Sequence, residues 1–179
     1  DFVDGTVVRN ADIARDSFTV DERGAAGRSI VDVLARIHAV DVDAVGLGDL
    51  GRRDGYIERQ LKRWQGQLEK SLRPELPDLS DLHADLAAKI PAQGPATIVH
   101  GDYRLDNVLF RPNGELVVLD FQGVGLGRPA VDVAYFITTA LTAEHRDEEA
   151  TLLRTYHDAL VAAGVSSYAF EQLVSDGEL

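Results

Sequence analysis

Cysteine is absent from all 179 residues, so neither disulfides nor thiolate metal sites are available to this chain. No stretch approaches the roughly 18 consecutive apolar residues of a membrane-spanning helix. The opening Asp1-Phe2-Val3-Asp4-Gly5 has no basic segment leading into an apolar run, so no secretory leader is visible. With neither feature, the chain reads as cytoplasmic and without a membrane partner. Basic residues are few: 18 Lys and Arg stand against 30 Asp and Glu, a formal charge of -12. A broad nucleic-acid surface needs many Lys and Arg to neutralise phosphates, so nucleic acid is not an expected partner. The acidic balance favours cationic partners or, more simply, solubility. The histidines at 38, 83, 100, 145 and 157 lack the close spacing of a structural zinc site. A starting Met is missing as well. Opening on Asp1 and closing on Glu178-Leu179 just after a helix-like segment, the chain reads as cut at both ends from a longer protein.

What is present suffices for one sizeable core: 45% apolar residues and a mean hydropathy of -0.12 fit a globular protein. Residues 1–24 read as a charged connector with a turn at Asp4-Gly5. A helix is expected over Arg28–His38, with Ile30, Val31, Leu34, Ile37 and His38 along one side. A glycine-broken loop follows from Asp41 to Gly51. A second helix over Arg52–Leu72 would anchor through Tyr56, Leu61, Trp64 and Leu68, with Trp64 read as a packing residue rather than a recognition surface. Pro74 and Pro77 punctuate the next connection. A third helix over Leu79–Ile90 packs through Leu82, Leu86 and Ile90, and Pro91 to Pro95 end it.

The pattern then changes to short apolar strands at Thr97–Val99, Asn107–Phe110 and Leu116–Leu119. Pro112-Asn113-Gly114 between the last two predicts a small hairpin. A loop with three glycines runs from Gln122 to Pro129. Helices resume at Ala130–Leu141, with Val131, Ala134, Tyr135 and Thr138 as the packing side, at Glu144–Ala162, closed by Gly164, and at Phe170–Val174.

The chemistry concentrates between the strands, in Ile98-Val99-His100-Gly101-Asp102-Tyr103-Arg104-Leu105-Asp106-Asn107 and Val117-Val118-Leu119-Asp120-Phe121. Asp102, in a polar loop, could orient a hydroxyl and accept its proton, or act as a turn-forming cap. The Asn107 amide oxygen could ligate Mg2+, although an Asn at a strand entrance is also an ordinary turn residue. Asp120, at a strand end, could bridge Mg2+ to nucleotide phosphates or cap the strand. His100 is read as a structural histidine bonded to loop carbonyls. Arg104 and Arg128 could meet phosphate, but pairing with Asp106 and Asp132 is the stronger reading. Tyr103 and Phe121 are expected to pack. No Gly-X-Ser-X-Gly elbow is present. Gly123-Val124-Gly125-Leu126-Gly127 has the wrong spacing for a dinucleotide loop.

Together, His100-Gly101-Asp102-x-x-x-x-Asn107 and Leu119-Asp120-Phe121-Gln122-Gly123, with thirteen residues from Asn107 to Asp120, resemble the catalytic loop and metal segment of the aminoglycoside phosphotransferase and choline kinase-like superfamily. Leu34-Ala35-Arg36-Ile37-His38 resembles that superfamily's first large-lobe helix, and Gly127-Arg128-Pro129-Ala130-Val131-Asp132-Val133-Ala134 its Gly-x-Pro-x-x-Asp-x-Ala element. The likeness runs closest to phosphotransferase-family and ecdysteroid kinase-like proteins, with some likeness to the kinase-like domain of certain acyl-CoA dehydrogenases.

The resemblance implies an α+β fold: a protein kinase-like large lobe, mostly helical, with a short central β-hairpin carrying the catalytic and metal loops. It divides the chain into a post-hinge connector (1–24), a helical part (25–95), a catalytic and metal-binding segment (96–129) and C-terminal helices (130–179). The N-terminal ATP-binding lobe is missing, so the 179 residues alone should be a poor catalyst or none. By position, Asp102 becomes the catalytic base, Asn107 and Asp120 the ligands of Mg2+ and its nucleotide, and His100, Arg104 and Asp132 supports. ATP and Mg2+ are the implied cofactors, and the implied acceptor is a small-molecule hydroxyl, an aminoglycoside-like compound being one candidate. An inactive kinase-like scaffold and a metal-dependent hydrolase using Asp102 and Asp120 are the alternatives. Oligomeric state stays open.

Overall fold

The computed structural model describes residues 3–71, 78–90 and 94–177. The chain forms β1 (Thr6–Val7), α1 (Ala11–Ser17), α2 (Val20–His38), α3 (Tyr56–Ser71), α4 (Asp78–Ala88), β2 (Thr97–Val99), β3 (Val108–Phe110), β4 (Leu116–Val118), β5 (Gly125–Gly127), α5 (Pro129–Ala140), α6 (Glu149–Ala162) and α7 (Phe170–Gly177). It is a mixed α+β fold, mostly helical with a small strand region at its centre. None of its helices is long and apolar enough to cross a membrane, among the described residues.

Residues 6–17 are more structured than a connector. β1 pairs antiparallel with β3, Thr6 opposite Phe110 and Val7 opposite Leu109, and Asn10 caps α1 by accepting from the Ile13 N–H at 2.9 Å. The helix expected from Arg28 begins at Val20 instead, because Thr19 and Glu22 form a capping box. Thr19 Oγ1 accepts from the Glu22 N–H at 3.3 Å and Glu22 Oε2 accepts from the Thr19 N–H at 2.8 Å. That pair satisfies two donors that a helix start leaves open and outweighs the two glycines in the first turns of α2.

α2, α5, α6 and α7 enclose the main core, in which Val31, Leu34, Val133, Phe136, Tyr156, Leu160 and Leu173 are buried. The face of α5 differs from the expected one. Pro129, Ala130, Asp132, Val133, Phe136 and Ile137 point inward, while Val131 and Tyr135 are exposed. Both faces carry apolar residues at helical spacing, so periodicity alone admitted two phases; Asp132, which bonds inward to the loop after β2, selects the other one. Tryptophan 64 is also not an anchor. Trp64 is 58% exposed, and Tyr56, Leu82 and Leu86 are exposed as well; among the expected anchors of α3, Leu61 is the buried one. α3 and α4 pack mainly on each other, which leaves one apolar side of each uncovered.

The central hairpin forms as expected: β3 and β4 pair antiparallel, with Val108 opposite Val118 and Phe110 opposite Leu116. Gly114, at φ +84°, supplies the left-handed turn residue. The glycine-rich loop before α5 contains a strand that sequence patterning did not show. β5 pairs with β2, Ile98 opposite Leu126 and Val99 opposite Gly125, over a second small core of Val42, Ile98 and Leu126. Gly164, at φ +95°, closes α6. Its N–H and that of Val165 donate to the carbonyls of Val161 and Leu160, the usual helix-ending pattern. The Pro74 and Pro77 connection, Pro91 and the two chain ends lie outside the described residues.

Candidate active site

β2 delivers the chain into His100, the hairpin holds Asn107 at its entrance and Asp120 at its exit, and α5 presents Asp132 from its first turn. Asp132 is 1% exposed. Its Oδ2 accepts from the His100 backbone N–H at 2.6 Å and its Oδ1 from the Gly101 N–H at 2.9 Å, so one carboxylate pins two successive amides of the loop. Gly101 adopts φ +82°, and a Cβ there would run into the Gly123 carbonyl oxygen. Only glycine allows this approach, which presses the loop against the turn that follows Asp120.

His100 is fully buried. The Leu119 carbonyl can only accept, so Nε2 of His100 donates to it at 2.8 Å, and Nδ1 then accepts from the Asp102 N–H at 3.3 Å. The ring packs against Tyr103 and Phe121, with centroid separations of 5.6 and 4.8 Å. Tyr103 is itself buried and donates to the Ile30 carbonyl at 2.8 Å. His100 therefore links the loop before Asp102 to the residue before Asp120.

Asn107 reaches back across the loop. Its Nδ2 donates to the Asp102 carbonyl at 2.8 Å and to Asp102 Oδ2 at 3.0 Å. Its backbone carbonyl accepts from the Leu119 N–H at 2.8 Å. With the NH2 group committed, Oδ1 is the remaining donor atom of that side chain. Asp120 is exposed and adopts φ 61°, ψ 60°, the one positive φ at a non-glycine residue among those described. That conformation costs about 1–3 kcal/mol and turns the chain sharply out of β4. Gln122 Nε2 donates to Asp120 Oδ2 at 3.3 Å, and Asp120 makes no capping bond to the turn it begins.

Arg104 and Arg128 have different partners from one another. Arg104 forks through Nε and Nη2 onto Asp106. That pairing, with a further bond to Tyr135, holds its guanidinium above the ordinary arginine range. Arg128 pairs with Asp176 of α7 at 3.3 Å, not with Asp132. Asp132 instead faces His38 at the end of α2, whose Nε2 lies 3.2 Å from Oδ2. Burial pushes His38 down, against the pull of Asp132. Burial would raise Asp132, but the bonds from His38 and from the two backbone amides outweigh it and leave the carboxyl below its ordinary range. The sequence placed His38 on the apolar side of its helix; an imidazole on such a face was the available sign of a buried polar partner.

Among the described residues, no three His, Cys, Asp or Glu side chains gather into a cation cage. Mg2+ at a nucleotide is held by one or two protein oxygens together with phosphates and waters. The Asp120 carboxylate and the Asn107 amide oxygen are a fitting donor set of that kind.

A family model described as "Phosphotransferase enzyme family" matches residues 1–169. The chain belongs to the phosphotransferase enzyme family. The chain is also similar to parts of longer proteins. Acyl-CoA dehydrogenase family member 10 of Mus musculus is 39% identical over 115 residues, covering 63% of this chain and 11% of that protein. Acyl-CoA dehydrogenase family member 11 of Gallus gallus is 32% identical over 140 residues, covering 74% and 17%. The chain thus spans less than a fifth of these relatives. Among solved structures, a "putative aminoglycoside phosphotransferase" from Ralstonia eutropha superposes with a TM-score of 0.73 at 27% identity, covering 99% of this chain and 67% of that one.

Proposed function

We propose that this chain is the large lobe of a Mg2+- and ATP-dependent phosphotransferase that acts on a hydroxyl of a small molecule. The observation that carries the proposal is the pairing of Asn107 with Asp102 on a loop that Leu119 ties to Asp120. One side chain holds the candidate base and keeps its other end available for a cation.

In this reading Asp102 orients the acceptor hydroxyl and takes its proton at a carboxylate oxygen as the oxygen attacks in line. Asn107 Nδ2 holds that carboxylate in place, while Asn107 Oδ1 and Asp120 would hold the metal. Bound Mg-ATP would supply the terminal phosphoryl group, its bond to the rest of the nucleotide breaking to release ADP, and the Mg2+ would neutralise the charge that develops. His100 and Asp132 position the loop without touching substrate. Arg104, engaged by Asp106 and Tyr135, supports the loop between Asp102 and Asn107. In this reading the chain divides at 24, 95 and 129 as the resemblance implies. The acceptor is written by its reacting group alone, an aminoglycoside-like alcohol being one candidate.

Titration calorimetry of ATP, with and without Mg2+, into the full-length protein and its D120N variant tests the reading. Magnesium-dependent binding that D120N weakens is the expected result. A folded full-length protein that binds no nucleotide would make the chain a kinase-like scaffold instead.

A further inference from the structure

Behind the loop, a run of buried polar groups extends beyond the residues used above. Tyr156 of α6 is fully buried, and its hydroxyl lies 2.6 Å from Nδ1 of His38. The two rings meet edge to face, 5.7 Å between centroids. On the far side of the imidazole stands Asp132, and beyond it the His100 and Gly101 amides. Thus α6, α2, α5 and the loop are joined through a single line of hydrogen bonds.

The donor directions in this line follow from its acceptors and from burial. Both Asp132 oxygens accept from backbone amides, so the carboxylate offers no proton to His38, and Nε2 must donate. Burial favours the uncharged imidazole, which then carries its lone pair on Nδ1. The Tyr156 hydroxyl is the group facing that lone pair. The opposite tautomer would set a bare Nε2 against a carboxylate oxygen and leave an acceptor where Asp132 needs a donor, a costly arrangement in a buried site.

We infer that Tyr156 is a positioning residue for the loop that carries Asp102: by donating to His38 Nδ1 it selects the Nε2–H tautomer, which supplies the side-chain hydrogen bond to Asp132 and so steadies the amides of His100 and Gly101. Its bearing on catalysis rests on the reading of Asp102 as the base. The tautomer itself is measured without nucleotide or acceptor, so failure of this inference and failure of the phosphotransferase reading are separate results.

The test uses the full-length protein labelled with 15N-histidine, with His38 assigned by the signals lost in H38Q. Long-range 1H–15N spectra are expected to show His38 protonated at Nε2 and bare at Nδ1. In Y156F, shown to be folded by circular dichroism, the Nδ1 resonance should shift as its hydrogen bond is lost. The His100 and Gly101 amides should then exchange about tenfold faster, the scale of one buried hydrogen bond. L160A removes another buried α6 side chain, one that cannot hydrogen-bond His38, and should leave the His38 nitrogen signals in place. A wild-type His38 protonated at Nδ1 would overturn the inference whether or not Y156F folds. So would unchanged His38 signals in Y156F, or the same change in L160A.

Discussion

Asn107 holds Asp102 by two hydrogen bonds from one NH2 group, to the carbonyl at 2.8 Å and to the carboxylate at 3.0 Å. The second bond orients the carboxylate without consuming both of its oxygens. D102N keeps the shape of the side chain but removes the proton acceptor. We expect kcat to fall by about 10²- to 10⁴-fold, the usual contribution of a general base, with nucleotide affinity unchanged. Steady-state kinetics paired with nucleotide titration check this, and full turnover in D102N would remove Asp102 from the role of base.

Asp120 stands where β4 ends, exposed and in the left-handed conformation. D120N retains an oxygen donor but loses the charge that would attract Mg2+ in the proposed role. The magnesium-dependent part of nucleotide binding should weaken, while binding without Mg2+ changes little. An identical magnesium dependence in the variant would exclude Asp120 as a ligand.

Gly101 is required twice over, by its φ of +82° and by the contact a Cβ would make with the Gly123 carbonyl. G101A should lose at least about 1–3 kcal/mol from the backbone conformation alone, with the collision adding to it. Urea unfolding measures the loss. G114A, at φ +84° with open space around the Cβ position, should cost less. Equal losses in the two variants would show that the close approach to Gly123 contributes nothing.

Acid should destabilise the fold in two stages. Burial holds His38 below its ordinary 6.5, so the unfolded chain takes up that proton first. Its contribution to stability is whole above about pH 6.5 and is lost as the pH falls toward the lowered value. Asp132, also held down despite its burial, loses its contribution as the pH drops below 3.8 toward its own lower value. At the other extreme, burial raises Tyr103 and Tyr156 above 10.0, so stability should decline again as the pH rises past 10. Urea midpoints measured across pH report all three changes, and H38Q should flatten the first. A midpoint that is level from pH 7 to 5 would contradict the buried, uncharged His38.

The sequence alone was enough to place most of the helices, though not α1 or the start of α2, and the hairpin and the loop from His100 to Asn107, because these are local: helical apolar spacing, Asn113-Gly114 turn chemistry and a contiguous motif all lie within a few residues. It also separated Asp102, Asn107 and Asp120 as a polar group among apolar strands. Three things were decided by tertiary packing. β5 pairs with a strand 28 residues upstream, a long-range match that its Gly-Leu-Gly sequence does not advertise. The inward face of α5 carries Asp132, bonded to the loop's amides, beside the core residues Val133, Phe136 and Ile137, a choice between two apolar faces that periodicity left open. The partners of Asp132 and Arg128, His38 and Asp176, lie 94 and 48 residues away. Charge and spacing along the chain carry no record of such pairs: a buried carboxylate takes whatever donors the packed helices bring to it.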